Sequence, residues 1–136
     1  MNKTQNTLSS IFSLARKKYQ IDQKRGDAKY LDVNWMLDEI VAEVDEVREE
    51  IKPNNSVYLE DELGDILWGL VVLAISLEEK GLISSAEALV DRCLQKYEER
   101  ISPLQGEQED EAIWDQVKQK QKITMQEENE KRHKGD

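Results

Sequence analysis

Proline, glycine and cysteine are scarce in this sequence, and each shortage excludes a class of protein. The 136 residues include two prolines, six glycines and one cysteine. So few helix breakers are typical of a helical protein, because the Glu, Lys, Gln, Leu and Ala residues that fill the rest favour helices. The single cysteine, Cys93, cannot form an internal disulfide, and its apolar neighbours predict a buried or half-buried side chain rather than a reactive thiol.

A long hydrophobic run is also lacking. The first ten residues, MNKTQNTLSS, contain no apolar stretch of the kind that a secretory signal needs. The longest apolar run, residues 66–77, is interrupted by Gly69 and Ser76, and it is shorter than the roughly 20 residues that cross a bilayer. These absences, together with the lone cysteine, predict a cytoplasmic protein that does not bind a membrane.

Positive charge is in deficit. The chain has 29 acidic and 19 basic side chains, which gives a formal net charge of −10 at pH 7. Nucleic-acid polymers and anionic membranes attract clustered Lys and Arg side chains, so this balance argues against both as partners. An anionic small-molecule ligand would therefore require a cation between it and the protein.

Hydrophobic spacing predicts an all-α protein, a bundle of four to five helices. Apolar residues recur every three or four positions, which is the spacing of a helix with one buried face. The predicted helices cover about residues 6–20, 34–52, 56–80 and 84–100, and a last amphipathic segment starts near residue 113.

Local signals divide the chain further. Ser84 and Glu87 have the spacing of a capping box at the start of the fourth helix. The polar run over residues 22–29 is typical of a loop, and it has no clear function. Residues 1–125 are predicted to form a single domain, and residues 126–136 a charged, flexible tail with too few apolar side chains to fold alone.

Acidic residues are concentrated beside the apolar faces of the second and third helices. Glu39, Glu43, Glu46 and Glu50 fall on one narrow strip of the second helix. Glu62 and Asp65 lie three residues apart on the third helix, just before an all-apolar run. Like charges one turn apart repel, and burying an unpaired carboxylate is unfavourable by several kcal/mol, so a cation between the helices is the natural compensation. Oxygen-only ligands suit Mg²⁺ or Mn²⁺ rather than Zn²⁺.

A metal site is not the only arrangement that would account for these acidic residues. They can form a solvated helix face, which needs no ion. A carboxylate-bridged iron centre is disfavoured, because such centres use Glu-x-x-His pairs and the one histidine, His133, lies in the predicted tail.

The spacing of the carboxylates resembles a known family. Glu43-x-x-Glu46 and Glu62-x-x-Asp65, separated by fifteen residues, resemble the E-x-x-E…E-x-x-D signature of MazG-type nucleotide pyrophosphohydrolases. The segment ELGDIL that starts at Glu62 is similar to the family's E-L-G-D-[LI]-L segment. Gly64 within that helix is unfavourable by roughly 1 kcal/mol relative to Ala, which predicts a packing reason such as the close approach of another helix.

Further similarity extends toward the C-terminus, so that the resemblance covers about residues 35–120. Lys96-x-x-x-Arg100 and Trp114-x-x-x-Lys118 resemble segments of the MazG branch, and cationic groups one turn apart can bind triphosphate oxygens. By themselves, Lys96 and Arg100 are more typical of ordinary surface charges, and it is the resemblance that favours nucleotide binding. Trp35 and Trp68 are candidates for stacking on a nucleobase, or else members of the core.

The resemblance implies an all-α enzyme that hydrolyses nucleoside triphosphates, ribo or deoxyribo, to the monophosphate and pyrophosphate. It implies that Glu43, Glu46, Glu62 and Asp65 hold Mg²⁺, with Mn²⁺ as a possible substitute, and that metal-activated water attacks the α-phosphate. Ala42 stands where the family commonly has a second glutamate, so Glu39 is an additional acidic candidate. Lys96, Arg100, Trp114 and Lys118 are the implied nucleotide-binding residues, and Trp35 is added to them as an aromatic ring suited to stacking on the base.

The resemblance also implies a homo-oligomer, either a dimer or a dimer of dimers. Two alternative functions remain open. One is a non-enzymatic helical assembly module whose acidic face binds a basic partner without turnover. The other is an enzyme of the same fold with a narrower substrate, such as dUTP, dCTP or a phosphoribosyl nucleotide.

Overall fold

The fold consists of five α-helices. In the computed structural model, which describes residues 2–135, every regular element is helical. The helices are α1 Lys3–Arg25, α2 Val33–Glu50, α3 Ser56–Glu79, α4 Ala86–Ile101 and α5 Asp110–Arg132, with a short 3₁₀ helix over Ala28–Leu31. The predicted all-α architecture is confirmed. None of the helices described is long and apolar enough to span a membrane.

Helix α1 is longer than the sequence pattern predicted. Asn2 and Gln5 form a capping box at its start, since each side chain accepts a hydrogen bond from the backbone N–H of the other. Gly26 ends the helix with a φ of 72°, a conformation that glycine adopts without strain. The prediction of a loop over residues 22–29 is therefore wrong for residues 22–25, which are helical, and for the start of the 3₁₀ helix.

The start of α4 differs by one residue from the prediction. The N–H of Ala88 donates to Ser85 Oγ at 3.0 Å, so Ser85 rather than Ser84 caps this helix. Helix α5 starts at Asp110 and continues through residues 126–132, which the sequence pattern assigned to a tail. The division into one domain and a tail stays a prediction.

The chain forms two compact units, one up to Leu89 and the other from Val90 onward. The first unit contains an apolar core between α1 and the C-terminal half of α3. Its buried members include Phe12, Ala15 and Tyr19 from α1 and Val71, Ala74 and Ile75 from α3. Complete burial of a side chain such as Ile75 contributes about 1.5–3 kcal/mol to folding.

Helices α2 and α3 pack closely in the same unit. A Cβ atom at Gly69 would lie 3.0 Å from Ile40 Cγ1, so the two helices approach each other at this glycine. Nothing lies within 4 Å of a Cβ placed at Gly64. The predicted close approach at Gly64 is therefore wrong for the chain as described, and Gly69 occupies the position that requires a small residue.

The second unit is held together differently. Among residues 90–135, Arg100 is the one residue classed as buried, with 8% of its surface exposed. Its Nε donates to Gln121 Oε1 at 2.8 Å, and Gln121 Nε2 donates to the carbonyl oxygen of Lys96 at 3.0 Å. Cys93 is exposed, which corrects the predicted burial of this side chain, since no apolar residue among residues 90–135 is buried.

Candidate active site

A cluster of carboxylates lies between α2 and α3. Glu43 from α2 and Glu62 and Asp65 from α3 each present an oxygen, and these oxygens all lie within 4.8 Å of one another. The helices are antiparallel, because Ile40 lies against Gly69 while Glu43, further along α2, lies near the earlier residue Asp65. The short connection over residues 51–55 therefore brings the two acidic motifs face to face.

Two of these carboxylates, both half-buried, each have one buried oxygen without a partner. Glu43 Oε2 and Glu62 Oε2 are enclosed by protein and accept no hydrogen bond. No Lys or Arg within residues 2–135 forms an ion pair with Glu43, Glu62 or Asp65. Buried polar groups in folded proteins are nearly always paired, so this cluster lacks a positive group that would complete it.

Burial and the neighbouring carboxylates raise the pKa values of Glu43 and Glu62. The pKa of Glu62 is raised to about 7, first by burial and then by Glu46, with the negative charges of Glu43 and Asp65 adding to the effect. Burial is also the main reason that the pKa of Glu43 is raised, followed by its interaction with Glu46. Mutual repulsion of this kind is relieved by a cation, and an all-oxygen ligand set fits a hard divalent metal.

A cleft of about 300 Å³ continues from the carboxylates. Glu43 and Asp65 line one end, and Trp35, Tyr30 and Lys18 line the other. Since Trp35 precedes Glu43 by eight residues of α2, the two ends are separated by about 12 Å along the helix axis. The cleft thus combines an acidic end with an aromatic and cationic end.

The far end of the cleft combines Trp35, which the sequence analysis proposed for nucleotide binding, with residues that it did not assign to a site. The rings of Tyr30 and Trp35 meet edge to face at 5.2 Å. Lys18 Nζ and the Arg25 guanidinium lie 5.5 and 5.2 Å from the centre of the Tyr30 ring, and Lys29 Nζ lies 5.3 Å from that of Trp35. The recurrence of basic residues around Tyr30 was the available signal, but only the fold brings α1 to this place.

The remaining acidic candidates occupy different positions. Glu39 lines the cleft and is exposed, and Glu46, also exposed, interacts with both Glu43 and Glu62. Glu50 is directed elsewhere, because its carboxylate accepts a hydrogen bond from Asn55 Nδ2 at 2.6 Å. Trp68 lines the cleft and also packs against the apolar core, and its role in base stacking stays a prediction.

The candidates nearer the C-terminus lie in the second unit. The Arg100 guanidinium is 5.2 Å from the centre of the Trp114 ring and 5.7 Å from that of Tyr97. Lys96 Nζ lies 5.6 Å from the Tyr97 ring, and Lys118 is exposed on α5. Their role in nucleotide binding stays a prediction.

The fold and the cluster define an all-helical protein with an acidic metal-type site between antiparallel helices. A family model, the MazG nucleotide pyrophosphohydrolase domain, matches residues 32–103, which is more than half of the chain. The chain belongs to this family, as its sequence motifs predicted. The match contains α2 and α3 with all their acidic candidates, but it begins after Lys18 and Tyr30. No curated protein and no solved structure matches the chain.

Proposed function

We propose that this protein hydrolyses nucleoside triphosphates to the monophosphate and pyrophosphate in a Mg²⁺-dependent reaction. One observation carries the proposal: two buried, unpartnered carboxylate oxygens lie in a cluster beside an aromatic cleft. Membership of the MazG family supports nucleotide pyrophosphohydrolase chemistry at that cluster. A solvated acidic face would not leave carboxylate oxygens buried and unpaired.

The residues that would hold the metal are Glu43, Glu62 and Asp65, joined by Glu46. When bound, Mg²⁺ offsets the charge of the phosphate oxygens and makes the α-phosphorus more electrophilic. Mn²⁺ is expected to replace Mg²⁺, because both ions accept an all-oxygen ligand set.

A carboxylate other than those of Glu43, Glu62 and Asp65 is suited to accept a proton from the attacking water. Glu39 lines the cleft one turn before Glu43, and Glu46 lies beside the cluster. As the oxygen of water bonds to the α-phosphorus, one of these carboxylates takes its proton, the bond to the bridging oxygen breaks, and pyrophosphate leaves. Glu39 and Glu46 are thus our candidates for the general base.

The cleft also offers surfaces for the rest of the nucleotide. Trp35 and Trp68 line it, and we assign base stacking to one or both of these rings. On the resemblance alone, Lys96, Arg100, Trp114 and Lys118 are proposed as further nucleotide-binding residues.

A homo-oligomer, either a dimer or a dimer of dimers, is part of the proposal. Exposed apolar residues occur one and two turns apart on both central helices, at Leu37, Val41 and Val44 on α2 and at Leu63, Leu67 and Leu70 on α3. In an antiparallel pair of helices, the side chains that come one residue after the contact positions point to the same side of the pair on both helices. The two stripes therefore form one apolar face, and a second copy of the chain is its proposed partner.

The test is to incubate the full chain with a panel of NTPs and dNTPs, with Mg²⁺, with Mn²⁺ and with EDTA, and to resolve the products by ion-exchange chromatography. Glu62→Gln is the site variant, and Glu60→Gln, an exposed residue on the same helix, is the matched control. We expect monophosphate and pyrophosphate, loss of turnover in EDTA, and loss of more than about 100-fold in Glu62→Gln alone.

Other products or no turnover would refute parts of this proposal. Diphosphate with orthophosphate would overturn attack at the α-phosphorus. Hydrolysis of dUTP or dCTP alone would restrict the substrate within the same chemistry. A folded protein that turns over no nucleotide would contradict the enzymatic function and favour a binding module.

A further inference from the structure

Asp22 is a buried carboxylate that pairs with two basic side chains. Only 3% of its surface is exposed, and it lies near the C-terminal end of α1, outside the part of the chain that the family model matches. Its Oδ2 accepts a hydrogen bond from Lys18 Nζ at 2.6 Å, and its Oδ1 accepts one from the Arg25 guanidinium at 3.2 Å. Charge-assisted bonds to a buried acceptor fix the donors that make them.

Lys18 extends from this carboxylate to the wall of the cleft. It lines the cleft together with Tyr30 and Trp35, and its Nζ lies 5.5 Å from the centre of the Tyr30 ring. An ammonium group has three N–H donors. The bond to Asp22 is the one hydrogen bond that Lys18 makes within the described chain, which leaves two donors for a ligand.

We propose that Lys18 is a specificity-determining residue that selects nucleobases with a keto oxygen at C6 of a purine or C4 of a pyrimidine, and that Asp22 is the positioning residue that aims it. This inference rests on the proposed function, because it assumes a nucleotide in the cleft. An ammonium group donates hydrogen bonds and accepts none. It therefore favours guanine, hypoxanthine, uracil and thymine, which carry a keto oxygen at C6 of the purine or C4 of the pyrimidine, over adenine and cytosine, which carry an amine donor at that position.

The position of Lys18 favours contact with the base rather than the phosphates. The phosphates belong at the acidic end, where Glu43 and Asp65 would share a metal with them. Lys18 belongs to the end formed by Tyr30 and Trp35, whose rings suit a planar base. About 12 Å of α2 separates Trp35 from Glu43, and Lys18 Nζ lies near the Tyr30 ring at the Trp35 end.

The experiment compares kcat/KM for GTP with ATP and for UTP with CTP. Lys18→Met removes the charge and the donors but keeps the length of the side chain, whereas Lys18→Arg keeps donors. Lys17→Met removes a charge from the neighbouring exposed position and is the matched control. We expect the wild-type chain and Lys17→Met to prefer the keto base of each pair by on the order of tenfold, which is the effect of a hydrogen bond to a charged donor.

In Lys18→Met the preference should disappear, mainly through a higher KM for the keto substrates, and Lys18→Arg should restore it in part. Asp22→Asn, which keeps the shape of the side chain, should weaken the preference for GTP over ATP and for UTP over CTP, mainly through a higher KM for GTP and UTP. Equal loss for all four nucleotides in Lys18→Met would place Lys18 on the phosphates and overturn the inference. A wild-type chain that hydrolyses all four equally would also overturn it, while absence of any turnover would refute the proposed function itself.

Discussion

The two compact units differ in whether all their buried polar groups have hydrogen-bond partners. In the second unit, Arg100 is buried, but its Nε is bonded to Gln121 and its guanidinium lies near two aromatic rings. In the first unit, Glu43 and Glu62 bury oxygens that have no partner. Folding alone explains a partnered buried group, whereas an unpartnered one requires a further explanation, which our proposal supplies as a bound cation.

Asp22 shows that this difference is not a property of the first unit as a whole. It is more deeply buried than Glu43 or Glu62, yet Lys18 and Arg25 both pair with it. A buried carboxylate in this unit therefore acquires cations from the chain when the fold supplies them. The absence of such partners at Glu43 and Glu62 is specific to the cluster between α2 and α3.

The largest stability effect is expected for Arg100. Arg100→Ala removes the hydrogen bond to Gln121 and the packing against Tyr97 and Trp114, so we expect the free energy of unfolding to fall by about 1–3 kcal/mol. Denaturant titration followed by tryptophan fluorescence would measure it. Lys120→Ala, at an exposed position of α5, is the control and should change stability by less than about 0.5 kcal/mol.

A stability change at Arg100 no larger than that of the control would break the comparison. The hydrogen bond to Gln121 and the contacts with the two rings would then contribute nothing to stability, and the burial of Arg100 would have to be explained by ligand binding. Combining the variant with Gln121→Ala sharpens the result, because the two losses should not add if the side chains act as a pair.

The carboxylate cluster should make the metal-free protein less stable as the pH rises. A carboxyl group whose pKa is raised by folding binds its proton more tightly in the folded state, so the folded chain holds more protons than the unfolded one between the two pKa values. For Glu62 these are 4.5 and about 7. The loss of folding stability caused by Glu62 is therefore absent below pH 4.5 and complete above about pH 7.

Thermal unfolding in EDTA across this pH range would measure the effect. Glu62→Gln should be more stable than the wild-type chain at pH 8 and should lose much of the pH dependence. Adding Mg²⁺ or Mn²⁺ should raise the melting temperature of the wild-type chain more than that of Glu62→Gln, because ligand binding stabilises the folded state. Equal pH dependence in both chains would mean that the cluster is not strained.

Much of the fold was predictable because most of its helices show a periodic spacing of apolar residues in their own sequence. The stripe of α2 and the apolar middle of α3 are periodic, and the ends of both helices were predicted to within two residues. The end of α1 was missed because residues 22–25 are polar. Asp22, Lys18 and Arg25 stabilise one another there, and that pairing is visible only once the side chains are placed.

The candidate site was predictable only where the residues share a helix or a family motif. Glu43, Glu62 and Asp65 were found by their spacing, and the structure places their oxygens together. Lys18 and Tyr30 were not found, because α1 and the 3₁₀ helix meet the cleft through tertiary packing. Gly64 was assigned a packing role that Gly69 fulfils, since sequence alone does not show which glycine faces Ile40.

The smallest expected effects come from these two glycines, which test the helix contact that holds the carboxylates together. Gly64→Ala meets no atom within 4 Å, so the better helix propensity of alanine should raise stability by about 0.5–1 kcal/mol. Gly69→Ala gains the same propensity but places its Cβ 3.0 Å from Ile40 Cγ1, so the net gain should be smaller or reversed. Titration with Mn²⁺ should show weaker binding in Gly69→Ala only, because displacing Ile40 also displaces Glu43 on the same helix. Equal metal binding by both variants would mean that the carboxylates do not depend on the close approach of α2 and α3.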